Sequence, residues 1–289
     1  MRGRITTLLA LGLLCVSVPG HPAGQSTKDT TFIAGIDSAL QEFEAQARSV
    51  TAIHPILSTR PPIAFAHQDR LYLFDHDSSH QSYRFVRTVP PPFPLPEGIC
   101  ASFPLSAYDN RPTSIVTPDI LDSQSGYATL LHEFVHCEQA RTVKQTLKSG
   151  LKVYKDARAN QQYSWELNHP SPYDDSQFVR DYTDLLTALR KKDAHQIRRI
   201  RNRLYEHLDR VDYEYMLWQE WKEGFARYLE NKVRRAWDLD GHTGKTGPPF
   251  TRVTVYTGGD WFIEFLTGQD PSLETAPERL FHTMHDYGR

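Results

Sequence analysis

The sequence predicts an α+β chain, mainly helical, with a small N-terminal sheet packed against a two-helix core and a helical C-terminal part. Three observations predict it. Short runs of β-branched and aromatic residues, separated by turn residues, occupy the first 120 positions. A proline-free stretch, residues 126–149, carries His132-Glu133-Phe134-Val135-His136 at helical spacing. A later stretch, residues 218–230, sets Trp218, Trp221, Phe225, Tyr228 and Leu229 on one broad helical stripe that reads as core.

From the N-terminus, Arg2 and Arg4 precede an apolar run over residues 5–18. This reads as a secretory signal peptide over residues 1–23, too short for a comfortable transmembrane helix. A lipid anchor at Cys15 is the alternative, and the bulky Leu14 before it argues against that. The remaining residues, 24–289, are expected to form a single domain in a secreted or periplasmic protein. Its sheet-containing part covers about residues 28–120 and its helical part about 121–289.

Residues 30–51 space Phe32, Ile33, Ile36, Leu40, Phe43 and Ala47 at a helical period. Residues 61–66 and 71–74 read as paired strands around a turn at 67–70, and residues 83–88 and 113–117 as two more strands. The proline-rich run 90–98 is extended, a rigid strap or rim. Residues 157–181 read as a long polar and aromatic loop that overhangs a cleft, with His169 a loop residue. The basic run within residues 190–203 is followed at once by Glu206, Asp209, Asp212 and Glu214, so it reads as a solvated face. After a loop from Asp238, residues 253–266 look like a strand or turn leading into an amphipathic helix.

Composition excludes some functions. The 289 residues are 39% hydrophobic and 24% charged, which suits a folded chain, and the net charge of −2 supplies no field to recruit nucleic acid or an anionic membrane. No segment after the first two dozen residues is long and apolar enough to span a bilayer. With the signal removed, Cys100 and Cys137 remain, and in an oxidising compartment they are expected to pair.

The chemistry lies in the helical motif. H-E-x-x-H on a helix puts His132 and His136 one turn apart on the same side, where both imidazoles can bind one Zn²⁺. Glu133 then sits beside a metal-held water and can act as general base. Ser123 and Ser125 are candidate N-caps. Leu130, Leu131, Phe134, Val135 and Cys137 fall on one half of the helix, and His132, Glu133, His136 and Gln139 on the other. Zinc needs a third protein ligand. Glu223 is a candidate, followed by Gly224, whose missing side chain would let another helix approach closely. Glu220 and Glu230 compete with it, and Glu223 paired to Arg227 at i,i+4 would be an ordinary surface stabiliser.

His132-Glu133-Phe134-Val135-His136, followed 87 residues later by Glu223-Gly224-Phe225-Ala226-Arg227-Tyr228, resembles the gluzincin zinc peptidases. The resemblance covers the two helices, with a longer intervening segment than the best-known members have. It implies His132, His136 and Glu223 as ligands of one Zn²⁺, Glu133 as general base and a peptide or protein as substrate. It also implies a downstream tyrosine or histidine that donates to the oxyanion: Tyr256 first, then His282 and His285. A non-catalytic periplasmic binding protein on the same scaffold, or a zinc hydrolase of a non-peptide, cell-wall bond, is the alternative reading.

Overall fold

The computed structural model describes residues 27–289, so the expected signal peptide and Cys15 lie outside the described residues. Helix α1 (Thr27–Arg48) buries Ile36, Leu40, Phe43 and Ala47, the stripe its period predicts. Five strands follow: β1 (Ile63–His67), β2 (Arg70–Asp77), β3 (Ser82–Val89), β4 (Cys100–Leu105) and β5 (Arg111–Val116). They form one sheet in the order β3-β2-β1-β5-β4. In the β1–β2 hairpin, His67 pairs with Arg70, and Gln68 and Asp69 between them both take positive φ, 49° and 57°. That is the two-residue turn whose twist matches a hairpin.

Strand β5 runs parallel to β1, and β4 lies antiparallel beside β5 with its other edge free. Four strands are where the sequence predicts them. The fourth, β4, is not foreseen, because Pro104 interrupts its pattern. Proline is tolerated on an edge strand, where a missing N–H leaves no gap in the sheet.

Both faces of the sheet are covered. Phe65, Tyr72, Phe74, Tyr83 and Val116 share a core with α1 and the motif helix. On the other face, Leu95 and Ile99 from the proline-rich segment and the start of β4 lie on Ala64, Leu71, Leu73 and Ile115. That segment is the strap its composition predicts.

The helical part comprises α2 (Gln124–Thr142), α3 (Lys144–Gly150), α4 (Lys152–Ala159), α5 (Trp165–Asn168), α6 (Ser176–Arg190), α7 (Ala194–His207), α8 (Arg210–Ala236), α9 (Arg252–Gln269) and α10 (Pro277–Asp286). The proline-free stretch is not one helix: α2 stops at Thr142, and α3 begins beyond Val143. The expected loop over 157–181 instead contains α5 and the start of α6. Trp165 of α5 is buried against Trp218, ring centroids 6.0 Å apart.

Helix α8 is the axis of this half. Its 27 residues span about 40 Å. Trp218, Trp221, Phe225 and Leu229 are fully buried, as the stripe predicts, but the polar side of α8 is buried as well. The basic run is where the expected solvated face fails. Arg201 is fully buried, its Nη1 lying 2.5 Å from the equally buried Glu220, which also accepts from the Tyr182 hydroxyl at 3.0 Å. A guanidinium taken out of water requires such a partner.

Gly224 has the use its position suggests. A Cβ built on it would meet the carbonyl carbon of Gly259 in α9 at 2.6 Å, and one on Gly259 would meet the Glu220 carbonyl oxygen at 2.1 Å. The two helices therefore cross backbone to backbone. Gly258 and Gly259 lie inside α9 and form no turn, which corrects the expected strand or turn at Tyr256. Gly224→Ala should destabilise the fold by about 2 kcal/mol or more, since rigid backbone must move to admit one methyl. Denaturant unfolding measures this, and a variant as stable as the parent would refute the crossing.

Candidate metal centre

The motif helix starts where Ser123 caps it, its hydroxyl accepting from the Gly126 N–H at 3.1 Å. Two turns later His132 and His136 project from successive turns, their Nε2 atoms 3.1 Å apart. Glu223 arrives from α8 with Oε2 at 3.2 Å from His136 Nε2 and 3.8 Å from His132 Nε2.

The opposite ring nitrogens are anchored. His132 Nδ1 lies 3.1 Å from Glu230 Oε2, and His136 Nδ1 lies 2.9 Å from Gln139 Oε1. The Gln139 amide nitrogen donates to the Lys222 carbonyl at 3.1 Å, which turns its oxygen toward His136. Both anchors are acceptors, so each imidazole donates from Nδ1 and turns its Nε2 toward Glu223.

The consequence is electrostatic. Two imidazole Nε2 atoms and one carboxylate oxygen converge, all within 4.8 Å of one another. Three acceptors in that arrangement repel unless a cation joins them. Zinc bonded tetrahedrally at about 2.0–2.1 Å places its ligand atoms about 3.3–3.4 Å apart. The three separations here, 3.1, 3.2 and 3.8 Å, bracket that value. Burial alone would lower the His132 pKa, yet the Glu223 and Glu230 carboxylates outweigh it and push it up to about 10. The pocket thus favours positive charge where the ligand atoms meet.

Glu223 offers one oxygen only. Its Oε1 is held by Lys222 Nζ at 2.9 Å, and the same ammonium reaches Glu166 of α5 at 3.0 Å. Lys144, at the start of α3, also reaches Glu166, at 3.1 Å. Burial would raise the Glu166 pKa, but Lys222 and Lys144 bring it down to about 2, so it stays ionised. Glu230, in turn, is gripped by His242 Nδ1 at 2.9 Å and Arg234 at 3.5 Å.

Glu133 stands outside the ligand set. Its two carboxylate oxygens accept from Ser102 Oγ at 2.8 Å and Cys100 Sγ at 3.5 Å, both on β4. The strand missed in the sequence therefore lies against the expected base.

The cysteine expectation is corrected here. Both thiols are free, Cys100 exposed and Cys137 buried. Cys100 lies abreast of Glu133, whereas Cys137, one helical turn further along, faces Ser114 Oγ at 3.5 Å. Their sulfurs point to different partners.

Of the competing ligands, Glu220 is occupied by Arg201, and Glu230 orients His132 from the side away from the convergence. Glu223 and Arg227 form no ion pair. His169 bonds Asp212 at 2.7 Å, while His282 and His285 sit on α10 near Arg289, outside the cluster. Tyr256 lies close enough to Glu223 to feel its charge. Half-buried in α9, it has its ring under the Arg227 guanidinium at 5.7 Å, and no described residue hydrogen-bonds its hydroxyl. Burial first, then the Glu223 carboxylate, raises its pKa, so it remains a phenol donor.

Sequence reasoning did not reach Lys222, Glu166, Ser102 or His242. Glu230 carried a readable signal, since seven residues is two helical turns and puts it on the Glu223 face. Comparison with protein-family models, curated proteins and solved structures gave no match.

Protein purified with zinc should hold about one ion per chain, and His132→Ala or Glu223→Ala should lose it. Glu230→Gln should bind zinc roughly 10–100-fold more weakly, as expected when a ligand's orienting partner is weakened. Glu220→Ala should destabilise the fold and leave the zinc content of folded chains intact. Metal analysis decides, and a Glu223→Ala protein with full zinc would rule out the assignment.

Proposed function

We propose that the chain is a zinc-dependent peptidase in which His132, His136 and Glu223 hold the metal and Glu133 moves the proton. The observation that carries this reading is the convergence of two imidazole Nε2 atoms and one carboxylate oxygen beside a fourth group, Glu133, that is free of the ligand set. When bound there, zinc would lower the pKa of a coordinated water toward 7. The protein's own groups perform the rest. Glu133, steadied by Ser102 on one oxygen, takes a proton from the water and returns it to the leaving amide nitrogen. Tyr256 donates its phenolic hydrogen to the oxyanion that develops on the scissile carbonyl.

A peptide substrate is supported by β4. Among the described residues its outer edge is unpaired within the sheet, and its Cys100 and Ser102 side chains reach Glu133, so an extended backbone can add to it by strand pairing. Export to the periplasm or the exterior is proposed from residues 1–23 alone, and among the described residues no helix is long and apolar enough to cross a membrane.

Glu133→Gln should keep the zinc and the melting temperature of the parent and lose hydrolysis by roughly 10²–10⁴-fold, because the amide preserves shape and cannot take a proton. Peptide digestion read by mass spectrometry tests this, and an active glutamine variant would exclude the mechanism.

Tyr256→Phe should lower kcat by roughly 10²-fold with little change in KM or zinc content, the pattern of a donor used in the transition state. A kcat equal to the parent's would remove Tyr256 from the chemistry.

A further inference from the structure

Two arginines are fully buried among the described residues, and they differ in one respect. Arg201 has the Glu220 carboxylate at 2.5 Å. Arg227, 5% exposed, makes no ion pair with any described residue, and its Nε has no hydrogen-bond partner. Its one polar contact is a long one, Nη1 to Thr257 Oγ1 at 3.5 Å. A buried, unpaired guanidinium is strongly unfavourable, because the charge has lost its water and gained no anion.

Neighbouring acids do not supply that anion. Glu223, one turn away on the same face of α8, is taken by Lys222 and the two histidines. Asp260 is buried and bonded by Asn231 at 2.8 Å, and its burial pushes its pKa up to about 7, so it is partly neutral near physiological pH.

The surroundings are closely packed on one side and add a second cation on another. The loop strand above Arg227 presents Gly244, where a Cβ would stand 3.1 Å from Arg227 Nη1 and 2.8 Å from Thr257 Oγ1. The Tyr256 ring lies on the other side. One turn before Tyr256 in α9, Arg252 also lacks a carboxylate partner and donates only to the Leu167 carbonyl, at 3.2 Å. Arg227 thus lies over the Tyr256 ring and Arg252 stands one turn earlier on α9, and neither has an ion-pair partner among the described residues.

We infer that Arg227, with Arg252 at the lip, forms a subsite for a carboxylate of the peptide substrate next to the metal centre. The inference rests on the peptidase reading for the word substrate, while the anion subsite stands on the arginines. Four residues of α-helix rise about 6 Å, and an extended peptide covers about 3.3–3.6 Å per residue, so the carboxylate belongs within about two residues of the scissile bond. It comes either from the chain end or from an acidic side chain. A planar guanidinium with several free N–H groups suits both.

The test uses the zinc-loaded full chain and two probes, N-acetyl-phenylalanine and its C-terminal amide, titrated calorimetrically into the parent, Arg227→Met and Arg227→Lys. A charge-assisted hydrogen bond corresponds to roughly 10–100-fold in affinity, so the parent should prefer the acid by at least 10-fold. Arg227→Met should abolish the preference, and Arg227→Lys should keep part of it. Arg227→Met should also melt no lower than the parent, since it replaces an unpaired buried charge with an apolar chain of similar length. Equal affinity for both probes in the parent would overturn the subsite. So would an acid preference that survives Arg227→Met, which would mean that the carboxylate is held elsewhere, for instance by the metal.

Digestion of matched peptides, free against amidated at the C-terminus and Glu against Gln near the cut, then separates the two sources of carboxylate. A parent that cleaves all of these equally overturns the inference and leaves the peptidase reading in place. A parent that cleaves nothing overturns the peptidase reading, and the calorimetric comparison still decides the anion subsite.

Discussion

The close approach of α8 and α9 at Gly224 and Gly259 is the constraint on which the rest of the site depends. Glu223 precedes one of these glycines, and Asp260 follows the other. Because the crossing is backbone against backbone, α8 has no freedom to slide or roll without a clash. That fixes the direction in which Glu223 leaves the helix and, seven residues on, the direction of Glu230. Tyr256 is placed by the same contact, from less than one turn earlier in α9. Helix α2 comes to this fixed pair carrying the two histidines. One glycine contact therefore positions Glu223, the proposed third ligand, Glu230, which orients His132, and the proposed oxyanion donor.

A second layer converts approximate placement into chemistry. Each histidine is oriented by an acceptor on its Nδ1, Glu230 for His132 and Gln139 for His136. Lys222 holds the spare oxygen of Glu223 and, through Glu166, ties the metal side of α8 to α5 and α3. These buried polar groups lower the freedom of the ligands more than they stabilise the fold, since desolvation offsets most of their attraction. Their value lies in preorganisation. A ligand atom already aimed has little to reorganise when the metal or the substrate arrives.

Much of this is legible in the sequence, and the failures have physical causes. The His132 to His136 spacing, the aromatic stripe of α8 and the α1 period are local patterns set by the 3.6-residue repeat, and each is found where expected. Strand β4 escaped because Pro104 breaks the alternation and an edge strand can accept it. Tyr256 was placed on a turn because Gly258-Gly259 is a turn signal in isolation. Here tertiary contact uses both glycines for close approach, with Tyr182 and with the Glu220 backbone, inside a helix. Arg201 read as surface because its partner Glu220 is 19 residues away and is reached only through the fold. The choice among Glu220, Glu223 and Glu230 was open for the same kind of reason. All three lie within three turns of one helix, and only the elements packed on each one tell them apart. The Cys100–Cys137 pairing failed on register: the strand brings Cys100 to Glu133, one turn short of Cys137.

The charges around the centre bear on what it can accept. Lys222 and Lys144 offset Glu223 and Glu166. Arg234 and His242 offset Glu230. Glu133 accepts hydrogen bonds from neutral donors only, Ser102 and Cys100. A divalent ion, if bound by His132, His136 and Glu223 as proposed, would place positive charge beside it. On the far side of Tyr256 the imbalance has the opposite sign, with Arg227 and Arg252 and no acid bonded to either. With a metal bound as proposed, such a site would be electropositive and would favour a substrate that brings its own negative charge. The oxyanion that forms during amide hydrolysis carries charge of that sign. In the proposed reaction Tyr256 would meet that charge as a neutral donor.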